Sequence, residues 1–420
     1  MIAFWDGKVA PSVRVAALIC TLFHFAIPSA GQNNPNLQLL YRSHQWFELR
    51  DAMSASKGPV LYRGAVAAAF NRQHDAEKLL GSVIKAAPRS SDADEARQWL
   101  EYLYFRAGQY PRALTILDQG LTINRDDDNA RSFRTLVAAF PEAQSVSQHR
   151  FSRIRYHMVG GNMAIPVSSN GITGNYIVDS DLNISMLSES EAKRLGLSVQ
   201  SAAAGAIGIT GATGGAHSDY RIAVADQLAV GNMRLRHVAF IVVGDNQGPF
   251  VGWPPGERGL LALPVLLAFR TLRWTTDGNF EMGFPSKKFR QSNLCFDGSD
   301  PLTQGEFQER KLDFVFDMGS EKTDLWPPFA KQFAALVSEK GKKGSWPITG
   351  LSGSEEVESV TLPEVGLRVG GFDAVLRPAH VLLKRTTENS QWYYARIGMN
   401  LLNQARQVTI DFSSMALMLN

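Results

Sequence analysis

Two textures divide the chain. From about Leu37 to Phe140, apolar residues recur at three- and four-residue steps, as in Leu100, Leu103, Tyr104 and Ala107. That is the period of a helix with one buried face. Within this stretch Ala76, Leu80 and Ile84 return as Ala113, Leu117 and Leu121, a shift of 37 residues. From about Arg153 the pattern becomes short apolar runs separated by clusters of Gly, Asn, Asp and Ser, for example Met163 to Val167, Tyr176-Ile177-Val178 and Ala239 to Val243. Such a pattern predicts many short strands joined by turns. One helix is expected inside this region, beginning after Ser188, where Ser188 and Glu191 form a capping box and Gly196 gives a natural stop.

The strand-rich region repeats itself. Asp179 and Asp317 stand 138 positions apart, and at the same offset Leu187 pairs with Leu325, Ala192 with Ala330 and Lys193 with Lys331. Ile209-Thr210-Gly211 returns as Ile348-Thr349-Gly350, and Leu228, Val230 and Gly231 as Leu367, Val369 and Gly370, each at an offset of 139. Leu261-Ala262-Leu263 matches Ile397-Gly398-Met399 at 136, and Asp277 matches Asp411 at 134. Five blocks in one order with nearly constant offset imply two like lobes, each large enough for its own core. Each lobe runs from an apolar strand into an acidic loop, through a Gly-rich hairpin, to a later apolar pair with a small residue.

These residues resemble the aspartic proteases, and more closely the retropepsin-like bacterial members with a tetratricopeptide-type N-terminal region. The resemblance covers about residues 160 to 415. It is carried by Ile177-Val178-Asp179-Ser180-Asp181, Phe316-Asp317-Met318-Gly319, the block Asn183 to Gly196, Leu263-Pro264-Val265-Leu266 and Leu325 to Ala330. It implies a multidomain, mainly β, duplicated two-lobe pepsin/retropepsin-like fold after an α-helical repeat domain. It also implies catalytic roles for Asp179 and Asp317, one per lobe, sharing a proton because two close carboxylates cannot both ionise easily. Ser180, Asp181, Met318, Gly319, Ala262 and Gly398 would support that pair. Ile209, Thr210, Gly211, Ile348, Thr349 and Gly350 would lie in hairpins covering a peptide substrate.

Four neighbours depart from the family pattern. Ser180 keeps the usual hydroxyl, but Met318 lacks it, and a thioether accepts weakly and cannot donate. Asp181 stands where the first loop has glycine, and Ala262 where the later segment has glycine. The competing expectation is therefore a catalytically impaired homologue that binds peptides or serves as a scaffold.

Composition narrows the alternatives. With 45% hydrophobic and 20% charged residues and a net charge of +3, the chain has no strong pull toward nucleic acid. Lys340-Gly341-Lys342-Lys343 is expected as a solvated loop. The helical region would offer a surface for a protein partner or form a cap on the next domain. Neither Cys-x-x-Cys nor His-Glu-x-x-His occurs, and Gly205, Gly208 and Gly211 are too widely spaced for a dinucleotide fingerprint. No metal or cofactor is expected.

The N-terminus carries Lys8 and Arg14, an apolar run from Val15 to Ile27, and Pro28-Ser29-Ala30. This is the order of a secretory signal peptide, and the run is shorter than the ~20 residues of a spanning helix. An uncleaved anchor is the alternative. Cys20 would leave with the leader, so Cys295 alone would remain and no internal disulfide could form. The expected organisation is a signal peptide over 1–30, helical repeats over 31–145, lobes over 151–285 and 311–420, and a linker over 286–310. Secretion or periplasmic delivery follows, with no membrane span after processing. Intact mass measurement of the natively expressed protein should show a chain beginning near Gly31 outside the cytoplasm. Recovery of residues 1–30 on cytosolic protein would contradict this.

Overall fold

The computed structural model describes residues 36–54, 58–201, 209–210, 216–217, 220–286, 292–350, 353–387 and 389–420. The leader expected at the N-terminus lies outside the described residues. Among them, no helix is long and apolar enough to cross a membrane.

Among the described residues, seven helices form the first part, from Leu37–Arg42 to Asp128–Ala138. Their ends obey local chemistry. Ser90 accepts from the Ala93 amide and Asp127 from the Ala130 amide, which satisfies amides that the helix leaves unpaired. Gly108, at φ +68°, lets the chain turn from Ser91–Arg106 into Tyr110–Ile123. The 37-residue shift holds, since Gln73–Ala86 and Tyr110–Ile123 are matching helices with Ala76, Ala113, Leu80 and Leu117 buried on equivalent faces.

The β region is duplicated. In the first lobe the strands follow the path 233–236, 228–230, 162–169, 172–178, 259–261, 185–188, 238–243, 221–225, 199–201. The second lobe follows 372–376, 365–369, 300–307, 310–316, 395–397, 324–325, 379–382, 353–362, 342–350. These are the same nine positions in the same order. The helix expected after Ser188 is present as Glu189–Arg194, with Ser188 as its cap, and Pro327–Gln332 repeats it at an offset of 138. A further sheet, 152–155, 279–282, 271–275, 407–411, 416–419, joins the lobes. At its centre Leu272 pairs with Ile410 and Trp274 with Val408. This antiparallel pair of equivalent strands relates the lobes by a pseudo-twofold.

Two expectations change. The segment expected as a linker, 286–310, contributes the strands Leu294–Asp297 and Asp300–Phe307, so the second lobe begins well before 311. The acidic-loop strand needs an outer partner in both lobes, and 300–307 is the counterpart of 162–169. Lys342 and Lys343 lie in the edge strand Lys342–Gly350 and Lys340 ends a helix, so this run is not a loop. Charged residues on an exposed edge discourage pairing with other chains.

The helical part docks on both lobes. His44 Nδ1 lies 2.7 Å from Asp297, and Arg50 donates to the Ser292 carbonyl at 2.6 Å. The buried Arg106 donates to the Gly298 carbonyl at 2.6 Å and to the Ala68 carbonyl, and its guanidinium covers Phe296. After the last helix, Gln144 donates to the Pro264 carbonyl of the first lobe at 2.8 Å. Arg106→Ala removes the donor to the Gly298 carbonyl and one of the donors to the Ala68 carbonyl, which still accepts the Asn71 amide, and should lower unfolding free energy by about 2 kcal/mol. Urea denaturation followed by circular dichroism measures this, and an unchanged midpoint would exclude the arginine as the interface tie.

Candidate active site

Both acidic loops are laced by the same hydrogen bonds, residue for equivalent residue. The amide of Asp179 donates to the Leu261 carbonyl at 2.9 Å, and that of Asp317 to Ile397 at 3.0 Å. Each aspartate then accepts, through Oδ1, the amide two residues on: Asp181 at 3.0 Å and Gly319 at 2.8 Å. Leu263 donates to the Leu182 carbonyl at 2.9 Å, and Met399 to Ser320 at 2.8 Å. The hydroxyls of Ser185 and Thr323 accept the amides of Ala262 and Gly398 at 3.0 and 2.9 Å. Each acid is thus fixed by its own strand, by the parallel strand beside it and by the segment crossing its loop.

Between the lobes the symmetry stops. Ser180 Oγ donates to the Phe316 carbonyl at 3.0 Å and accepts the Met318 amide at 2.9 Å. Both bonds are buried, and they tie the first loop directly to the residues flanking Asp317. Met318 is fully buried and, as a thioether, cannot donate the matching bond. Gly319 packs against the other acid, since a Cβ there would lie 2.3 Å from Asp179 Cγ. Gly398 is equally constrained, as a Cβ would sit 2.4 Å from the Lys322 carbonyl oxygen. Its counterpart Ala262 carries that methyl fully buried.

Asp181 occupies the position equivalent to Gly319 and is only 7% exposed. Its backbone is not left-handed, so the glycine of the family pattern is replaced at a position limited by space rather than by φ. One carboxyl oxygen, Oδ1, has no hydrogen-bond partner. Burial, then Asp317, Asp300 and Asp179, push its carboxyl well above the usual range. Burial and the charge of Asp317 raise Asp179 to about 7. Burial also raises Asp317, opposed chiefly by Arg396, whose Nε lies 3.8 Å from Asp317 Oδ2. Arg396 in turn donates to Asp324 at 2.9 Å, and Asp324 accepts Trp346 Nε1 at 2.9 Å.

Ile209–Thr210 pairs with Ala216–His217, while Gly211 lies outside the described residues. Ile348, Thr349 and Gly350 end the long strand Lys342–Gly350, which pairs with Gly353–Leu362. The motif reading missed Arg396, Asp324, Ser185 and Thr323. Ser185 and Thr323 were detectable as hydroxyls at the 138-residue offset. Arg396 was visible as a lone charge beside Ile397 in an apolar strand. No cluster of three metal-ligating side chains occurs among the described residues.

Two like β lobes, each delivering an aspartate to a shared buried junction, define the pepsin/retropepsin-like aspartic-protease fold. Residues 165–261 match the family described as aspartyl protease. Among solved structures, the chain is similar to a retropepsin-like aspartic protease from Rickettsia conorii at 14% identity, covering 34% of this chain and 94% of that one, with a TM-score of 0.22. It is also similar to basic 7S globulin from soybean at 11% identity, covering 64% and 93% of the two chains, with a TM-score of 0.35. No curated protein sequence matches it.

Two stability outcomes follow from this geometry. Ser180→Ala strands the buried Met318 amide and Phe316 carbonyl and should cost about 3 kcal/mol, whereas Ser180→Thr should be tolerated. Chemical denaturation distinguishes them. Asp181 has a raised folded pKa, so ionisation adds no penalty below its unfolded value and destabilises the fold progressively as pH rises toward the folded one. Asp181→Asn should therefore raise the melting temperature at pH 8 and leave it nearly unchanged at pH 3. Equal shifts at both would rule out a buried, strained carboxylate.

Proposed function

We propose that this protein is an aspartic endopeptidase in which Asp179 and Asp317 act as a pair. The observation that carries the reading is the Ser180 clamp, which joins the loops of both acids through buried hydrogen bonds. In this mechanism the ionised carboxylate takes a proton from water as its oxygen attacks the peptide carbonyl. The protonated carboxyl donates to the carbonyl oxygen, giving a neutral tetrahedral diol. Collapse breaks the C–N bond, and the proton taken from water passes to the leaving amine. The chemistry calls for no metal or cofactor. The substrate is a peptide or protein, and the helical region is available to a protein partner. The chain works after export, as its leader suggests.

Burial and the neighbouring Asp317 keep Asp179 protonated through the acidic range, with its midpoint raised to about 7. Cleavage that needs this proton is present below that midpoint and is lost as pH rises through it. A peptide-library digest followed by mass spectrometry tests the assignment. Asp179→Asn and Asp317→Asn should each reduce cleavage by at least about a thousandfold. Cleavage that survives either change would exclude the two-aspartate mechanism. Asp181→Gly combined with Met318→Thr should raise the rate, because it clears the first loop and supplies the missing cross-lobe hydroxyl. A silent parent and an active double variant would instead indicate a peptide-binding protein built on a protease fold.

A further inference from the structure

In the first lobe, Leu260 pairs with Ile177, two residues before Asp179. At the same register in the second lobe, Arg396 pairs with Val315, two residues before Asp317. An apolar residue is thus replaced by a largely enclosed arginine whose side chain is 12% exposed. A buried guanidinium is costly unless it is matched by negative charge. Its match is unusual. Asp324 takes one strong bond at 2.9 Å, while Nε, without a hydrogen-bond partner, stands 3.8 Å from Asp317. That separation is too long for a hydrogen bond but well within reach of electrostatic attraction.

A second charged departure from lobe symmetry is Asp181, an added carboxyl within electrostatic range of both Asp317 and Arg396. The equivalent Gly319 shows how little room the position offers. The two substitutions have opposite sign and converge on one acid. We propose that Arg396 is a positioning residue for the second acid: it holds the Oδ2 edge of Asp317, offsets the carboxyl of Asp181, and makes Asp317 the member of the pair that carries the negative charge and activates water. Asp179 is then the proton donor. The assignment rests on the two-aspartate reading of the site. Among the described residues, the charged groups around Asp317 are Asp179 and Asp181 from the first loop, Arg396, and Asp324 behind Arg396; Asp300, at the start of the neighbouring strand, acts on Asp181, and Lys322 stands over Trp346.

The test is a carboxyl ¹³C NMR titration of the full chain with labelled aspartate. The Asp317 resonance is identified as the one lost in Asp317→Asn. Arg396→Leu installs the first-lobe residue type and should raise the Asp317 midpoint by at least about one pH unit, a tenfold gain in proton affinity. Arg396→Lys, which keeps the charge, should restore most of the parent value. Arg396→Gln, which removes the charge but keeps a polar side chain of similar reach, reports the same coupling if Arg396→Leu fails to fold. If the parent cleaves peptides, the acidic limb of kcat/KM should move with the Asp317 midpoint in each variant. An Asp317 midpoint unmoved by Arg396→Leu, or by Arg396→Gln where the former does not fold, overturns the proposal even if cleavage depends on both aspartates. A midpoint that moves as stated in a chain without peptidase activity upholds the positioning role while removing the catalytic reading.

Discussion

Two carboxyls of like charge must be held together where water is scarce, and everything around them serves that constraint. Left alone, the loops would separate to relieve the repulsion and rehydrate the acids. Ser180 opposes this with one hydroxyl used twice, as donor to Phe316 and acceptor from Met318. The joining sheet, with 271–275 paired to 407–411, sets the lobes so that this hydroxyl reaches its partners. Within each lobe, the parallel neighbour of the acidic strand and the crossing segment fix the loop from the other sides.

The lobes agree closely in backbone and differ in chemistry. The four loop hydrogen bonds recur in pairs, whereas the cross-lobe hydroxyl, the glycine after it and the apolar residue before the crossing are each present on one side only. Met318 removes one half of the clamp, Asp181 adds a carboxyl, and Arg396 adds a guanidinium. Backbone symmetry thus supports a site whose two acids have unlike surroundings, with Arg396 beside Asp317 and the apolar Leu260 at the matching position of the first lobe.

Much of this architecture was legible in the sequence because duplication repeats physical requirements at a fixed interval. Leu187 and Leu325, or Ala192 and Ala330, fall at matching places since each lobe must bury the same faces. The capping pair Ser188 and Glu191 announced a helix whose end Gly196 terminates at φ +68°. The linker was misjudged because Leu294–Asp297, Asp300–Phe307 and Arg310–Phe316 are joined by tight turns whose residues, Gly298-Ser299 and Gln308-Glu309, read as irregular chain, although each strand pairs with the next. Arg396 was passed over because its importance comes from Asp317 and Asp324, both more than seventy positions away, a long-range relation that local pattern does not encode.

The attachment of the helical part has a mechanical consequence. Arg50 and Arg106 grip the second lobe at Ser292 and Gly298, while Gln144, held to Gly108 by its own amide, reaches the first lobe at Pro264. The helices therefore act as an external brace across both halves. Any rocking of one lobe against the other must stretch one of these ties or bend the helical stack. The two lobes are thus held by a frame that resists spreading.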